Sequence, residues 1–152
     1  MIGLWISLIM FTAGVTYTWI RWGVQKSVSQ TFYSHENVFL WYAWCISYSL
    51  PVLIAIPHGL VFLSVAGIWT VGAAPNFLGS KMENHVHVGG AYIAIIAIFL
   101  FLALKGQWIA VIPMALFTVG AALYKLKNLT NWVEIAAYYL SWLGLMRYLV
   151  TL

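Results

Sequence analysis

HVHVGGAYIAIIAIFLFLAL, residues 85 to 104, decides the class of this chain. After its two histidines it runs without a charge to Lys105. A helix of that length crosses a hydrocarbon layer of about 30 Å. Histidine is costly at such a segment, so its presence raises a functional question.

Five further apolar runs surround it. The spans are placed at about 2–20, 38–56, 60–74, 85–104, 108–124 and 132–150. The expected fold is an all-α integral membrane protein, a six-transmembrane-helix bundle filling residues 1–152 as one polytopic domain. Composition agrees. Only 7% of residues are charged, against about 25% in a soluble domain, so a charged shell around a soluble core cannot be built. Ser34 or Asn37 is placed to cap the second helix. Pro51 lies inside that helix and predicts a kink about one turn upstream. The third and fifth runs are short for a span and should stand upright or thin the bilayer. MIGLWISLIMFTAGV reads as a retained first span, because no basic region precedes its apolar run.

Loop charge sets the expected orientation. Connections 21–36, 75–84 and 125–131 hold Arg21, Lys26, Lys81, Lys125 and Lys127, whereas the opposite side holds Lys105 and Arg147. The basic side is expected to be cytoplasmic, with both termini outside the cytoplasm of a bacterial inner membrane. The net charge of +4 therefore marks orientation beside anionic lipid, and a nucleic-acid partner is not expected. Most Trp and Tyr, including Tyr17, Trp19, Trp22, Trp41, Tyr42, Tyr124 and Trp132, read as a belt at one interface. Trp108 and Tyr148 mark the other.

Small residues predict where helices touch: Ala66 and Thr70 on the third, His87, Ala91 and Ala94 on the fourth, Ala137, Ser141 and Gly144 on the sixth. These three spans are expected to form the inner bundle.

The chain has no aspartate. Its acids are Glu36, Glu83 and Glu134, and its histidines are His35, His58, His85 and His87. All but His58 fall at the basic end. Residues two apart on a helix point about 200° away from each other. His87 therefore shares the small-residue face and should point inward, while His85 points elsewhere. Glu134 shares a stripe with Tyr138 and Ser141 and should also face inward; a solvated acid in a first helical turn is the plainer reading. The functional reading is a polar pocket at the cytoplasmic face, with His87, Glu134 and Ser29 as candidate catalytic groups. His35, His85 and His87 are candidate metal ligands. Imidazole and carboxylate suit zinc, and three protein ligands plus a water would form a catalytic centre. Interfacial or internally paired histidines are the competing reading. No GxxxxGK[ST], GxGxxG or G-x-S-x-G motif occurs. Cys45 is the only cysteine, so it makes no intrachain disulfide, and it reads as a small buried hydrophobe.

SVSQTFYSHEN (27–37), FLSVAGIWTVGAAPNF (62–77) and HVHVGGA (85–91) resemble small polytopic membrane proteins of bacteria and their phages, over about residues 5 to 140. That resemblance implies a fold and no activity. More remotely, a serine-bearing segment followed by an inner-face histidine is similar to the alkaline-ceramidase and adiponectin-receptor superfamily. It implies seven spans and a hydrolytic zinc held by three histidines with Ser and Asp. This chain departs from it in having six runs, no Asp and no HxxxH.

Two functions of different class follow. One is an enzyme or binding protein for a lipid-like amphiphile, with the bilayer as its other partner. The other is a non-enzymatic homo-oligomer: a pore, a holin-like permeabiliser or a membrane effector. A transporter is third, because few buried charges offer a coupling-ion route.

Overall fold

The computed structural model describes all residues except 32 and 34–36, and among the described residues it is all-helical. The helices are α1 Ile2–Trp22, α2 Val38–Ala55, α3 Gly59–Ala73, α4 Lys81–Leu104, α5 Trp108–Leu123 and α6 Leu129–Val150, with a 3-10 turn at Ser29–Thr31. Each apolar run carries one helix. Three of them (α1, α2 and α4) are long and apolar enough to cross a membrane.

Polar punctuation sets most boundaries. Asn37 caps α2, its Oδ1 accepting from Leu40 N–H at 3.0 Å; Ser34 lies outside the described residues. Pro51 is held within α2 and does not end it. Two starts differ from the sequence reading. α4 begins at Lys81, one turn before His85, because Ser80 Oγ accepts from Glu83 N–H at 3.3 Å and satisfies a donor of the first turn. The Glu83 carboxylate accepts from Asn76 N–H at 2.9 Å, tying the loop to the new helix. α6 begins at Leu129, following Asn128 at φ 56. Asparagine visits that left-handed region more readily than most residues.

Helices alternate in direction, and two ends can be told apart by their contacts. At one end Asn131 N–H donates to the Lys26 carbonyl at 3.0 Å, and Leu78 N–H donates to Tyr33 Oη at 2.7 Å. At the other, Trp142 Nε1 donates to the Leu4 carbonyl at 2.7 Å. There the rings of His58 and Tyr148 both pack against Phe101, with centroids 4.8 Å and 5.2 Å away.

The tightest pair is α3 with α4. A Cβ on Gly67 would lie 2.5 Å from the Gly90 carbonyl oxygen, and one on Gly90 would lie 2.8 Å from that of Gly67. Backbone meets backbone, so only glycine fits at either position. Ser64 Oγ crosses the same seam to the Ala94 carbonyl at 2.8 Å. The seam thus runs through Ser64 and Gly67, with Thr70 at its edge. The stripe expected through Ala66 lies to one side.

Packing is uneven beyond that seam. α1, α2, α3, α4 and α6 all line one partly open cavity, a larger inner set than the sequence suggests. α5 packs outside, on α4 and α6. The outer faces are strongly apolar: Ile20 is 82% exposed, Phe39 88% and Leu123 75%.

The seam gives a paired prediction. Gly67→Leu must push backbone from backbone and should cost about 1–3 kcal/mol. Gly89, one residue from the seam, faces open space: a Cβ there would meet nothing within 4 Å. Gly89→Ala should therefore gain about 0.5–1 kcal/mol by helix propensity alone. Unfolding followed by circular dichroism checks both; equal effects would contradict the seam.

Candidate functional site

The residues singled out from sequence separate into two groups. His87 is buried on α4, while His85, two positions earlier, is exposed. His87 Nδ1 lies 3.1 Å from the Ala74 carbonyl oxygen, a donor's distance. Its ring stacks on Phe77, with centroids 4.0 Å apart and planes 22° apart. Ala74 ends α3, where carbonyls lack intrahelical partners. His87 therefore works as a side-chain cap on the C-terminus of α3. His58 does the converse at the other end: its Nδ1 accepts from Leu60 N–H at 3.2 Å. A helix of only 15 residues is closed at both ends by imidazole.

This arrangement engages one ring nitrogen of a residue expected to hold zinc. Among the described residues, no three His, Cys, Asp or Glu side chains come together as a metal site. His87 spends a ring nitrogen on a carbonyl, His85 faces away, and His35 lies outside the described residues. The set His35, His85 and His87 is not assembled among those residues.

Glu134 and Ser29 form the second group. Val28 N–H donates to Glu134 Oε2 at 2.5 Å, and Ser29 contacts the same carboxylate through its backbone and its hydroxyl. The connection after α1 is thereby folded against α6, and Ser27, Val28 and Ser29 are buried by it. One turn earlier on α6, Asn131 is fully buried; neither atom of its amide has a partner among the described residues.

Glu134 and Ser29 stand at the polar end of the cavity, which measures about 150 Å³. His87 does not line it. The α6 wall follows a helical stripe through Glu134, Ala137, Tyr138, Ser141 and Leu145. Eleven residues at 1.5 Å each make the cavity roughly 16 Å long. Its other walls are mainly apolar or aromatic, with the hydroxyls of Ser7, Ser49 and Ser64 among them. Phe11 of α1 stacks on Tyr138 of α6 at 3.6 Å, and on Trp44 of α2 at 5.8 Å from its other side.

Most hydroxyls on the walls are already engaged. Ser7 Oγ donates to the Tyr48 carbonyl at 2.5 Å and lies 2.7 Å from Tyr138 Oη. Ser49 Oγ donates to the Cys45 carbonyl at 2.6 Å and accepts from Trp69 Nε1 at 2.9 Å. Cys45 itself is fully buried. The Glu134 carboxylate is different. Among the described residues its contacts are neutral donors, with no Lys, Arg or His.

The sequence points to Glu134 and Ser29 but not to the aromatic wall. Trp41 reads as part of the interfacial belt, yet it is buried and lines the cavity with Trp44, Tyr48 and Trp142. Trp41, Tyr48 and Trp142 do recur along helical stripes, but the same residue types serve at interfaces, and the stripe alone does not choose. A second hollow, between α4 and α5, is an open apolar groove. Its one hydroxyl, on Thr118, donates to the Met114 carbonyl at 2.9 Å.

His87→Ala should lower stability by about 1–3 kcal/mol, the cost of removing a buried hydrogen-bonding partner. Zinc should leave the melting temperature of wild type and variant unchanged. A zinc-dependent rise in wild type alone would restore a metal role for His87.

No family model matches the chain, no curated protein matches it, and no solved structure matches it.

Proposed function

We propose that the chain is a six-span membrane protein that holds a small amphiphile among its helices. The cavity carries this reading: five helices converge on an elongated, largely apolar space with one carboxylate at its end. Ligand sites are concave and mostly apolar, with a few polar groups that fix orientation.

A bilayer accounts for the outer surface. Monomeric soluble proteins rarely expose contiguous apolar patches beyond a few hundred Å², and here exposed Ile, Leu and Phe occur on helix after helix. α3 and α5, with 15 and 16 residues, would stand near the membrane normal. α6 is long enough to cross, and its polar residues Asn131, Glu134 and Ser141 are turned inward. Five of the seven Lys and Arg belong to the end that carries Glu134, so that end is assigned to the cytoplasm and both termini to the outside. A bacterial inner membrane is the setting we assign.

The cavity's size narrows the guest. Drug-sized ligands occupy roughly 300–1,000 Å³, whereas an apolar cavity of about 150 Å³ accepts a molecule the size of benzene. The guest is thus a short chain or single ring with one polar end, smaller than a membrane lipid. Binding, rather than turnover, is the activity proposed. Ser29 and Glu134 meet without His87, so the acid–base set inferred from sequence is incomplete in the cavity.

Ala137 lines the cavity and is buried, so Ala137→Phe should fill it. In nanodiscs, hexanol should raise the melting temperature of wild type and leave Ala137→Phe unmoved. Ala115→Phe, in the groove between α4 and α5, should respond like wild type. Equal responses in all three would refer the effect to the bilayer and leave the homo-oligomeric pore as the stronger reading.

A further inference from the structure

We infer that the guest is a small organic ammonium ion, with its charge beside Glu134 and its apolar part among the aromatic rings. This deepens the binding reading and rests on it.

The first ground is charge. Among the described residues Glu134 is the only acid that lines the cavity, and its carboxyl group is met by the Val28 N–H and by the Ser29 backbone and hydroxyl. All three are neutral donors. They orient the carboxyl group and leave it without a cationic partner. Ionisable groups inside membrane segments ordinarily find an opposite charge. No cationic side chain lines this cavity among the described residues. The five basic residues at this end are placed elsewhere: Arg21, Lys26, Lys81, Lys125 and Lys127 are all exposed. A guest with a positive head supplies what the chain does not.

The second ground is the wall. Phe11, Trp41, Trp44, Tyr48, Tyr138 and Trp142 line the same space as Glu134. An aliphatic wall repels a cation by desolvating it. An aromatic wall attracts one through the ring quadrupole, and the effect grows when water is excluded. A carboxylate together with aromatic rings is thus matched to an ammonium group. It is mismatched to a carboxylate or phosphate head, which would meet Glu134 as a like charge.

The third ground is donor–acceptor balance. The wall hydroxyls of Ser7, Ser49, Ser64 and Ser141 already donate to backbone carbonyls. Those hydroxyls keep lone pairs but have no proton left to offer, and the carboxyl group of Glu134 adds the strongest acceptor on the wall. A primary ammonium brings three donors and no acceptor.

The test uses three probes of equal chain length with different heads: hexylamine (protonated at neutral pH), hexanol and hexanoate. Binding to the full chain in nanodiscs of neutral lipid is measured by calorimetry, with empty nanodiscs subtracted. Hexylamine should bind at least about tenfold more tightly than hexanol, the difference between a charge-assisted and a neutral hydrogen bond. Hexanoate should bind most weakly. Glu134→Gln should bring hexylamine down to hexanol's level and leave hexanol unchanged. If that variant does not fold, the order of the three probes on wild type decides alone. Equal binding of hexylamine and hexanol, both lost in Ala137→Phe, would overturn the ammonium guest and keep the binding reading. Binding of no probe, or binding untouched by Ala137→Phe, would overturn both.

Discussion

The approach of α3 to α4 through Gly67 and Gly90 sets the rest of the structure. For helices in a bilayer, the setting proposed for this chain, close backbone contact is among the few attractive terms available. Here that contact is direct, each glycine facing the other's carbonyl. It fixes α3 against α4 closely enough for Ser64 to reach the Ala94 carbonyl and for His87 to reach Ala74. The two caps then make a short helix self-sufficient at both ends. His87 reads in the sequence as a possible ligand and His58 does not, yet each satisfies a backbone group at one end of α3.

The opposite side of the bundle is built on the reverse principle. α1, α2 and α6 meet through large rings, with Phe11 between Trp44 and Tyr138. Beside the cavity, ring stacking holds those helices a side chain apart, although at the far end Gly3 brings α1 against the Pro51 carbonyl of α2. A bundle that is tight on one side and propped open on the other encloses space. Glu134 anchors the polar end of that space, because its carboxylate folds the connection after α1 across it. The proposed ammonium site follows from these two facts: a held-open aromatic interior and one carboxyl group with neutral donors around it.

Much of this is legible in the sequence. Arg21-Trp22, Asn37, Pro57-His58-Gly59 and Lys105-Gly106-Gln107 interrupt the apolar runs, and a helix ends or begins at each. The helical period separates His87 from His85, since burial of one forces exposure of the other. Ser29 and Glu134 come together because both belong to the same end of an alternating bundle. The start of α4 is hidden because Lys81, Glu83 and Asn84 look like loop, while the capping serine at position 80 makes them a first turn. A histidine on a small-residue face is close to a neighbouring helix end, and the Ala74 carbonyl there competes with a metal for His87. The aromatic wall is hidden because Trp and Tyr suit an interfacial belt and an interior stack equally well, and only the direction of each helix face distinguishes them.

The most direct measurement of the central claim is photolabelling in native membranes with a diazirine-bearing alkylammonium, followed by mass-spectrometric mapping. An interior site predicts label on the cavity stripe of α6, at Ala137, Ser141 or Leu145, and on Tyr48 or Val52 of α2, which line the same cavity. Label confined to outward residues such as Ile96, Leu116 and Leu123 would contradict it.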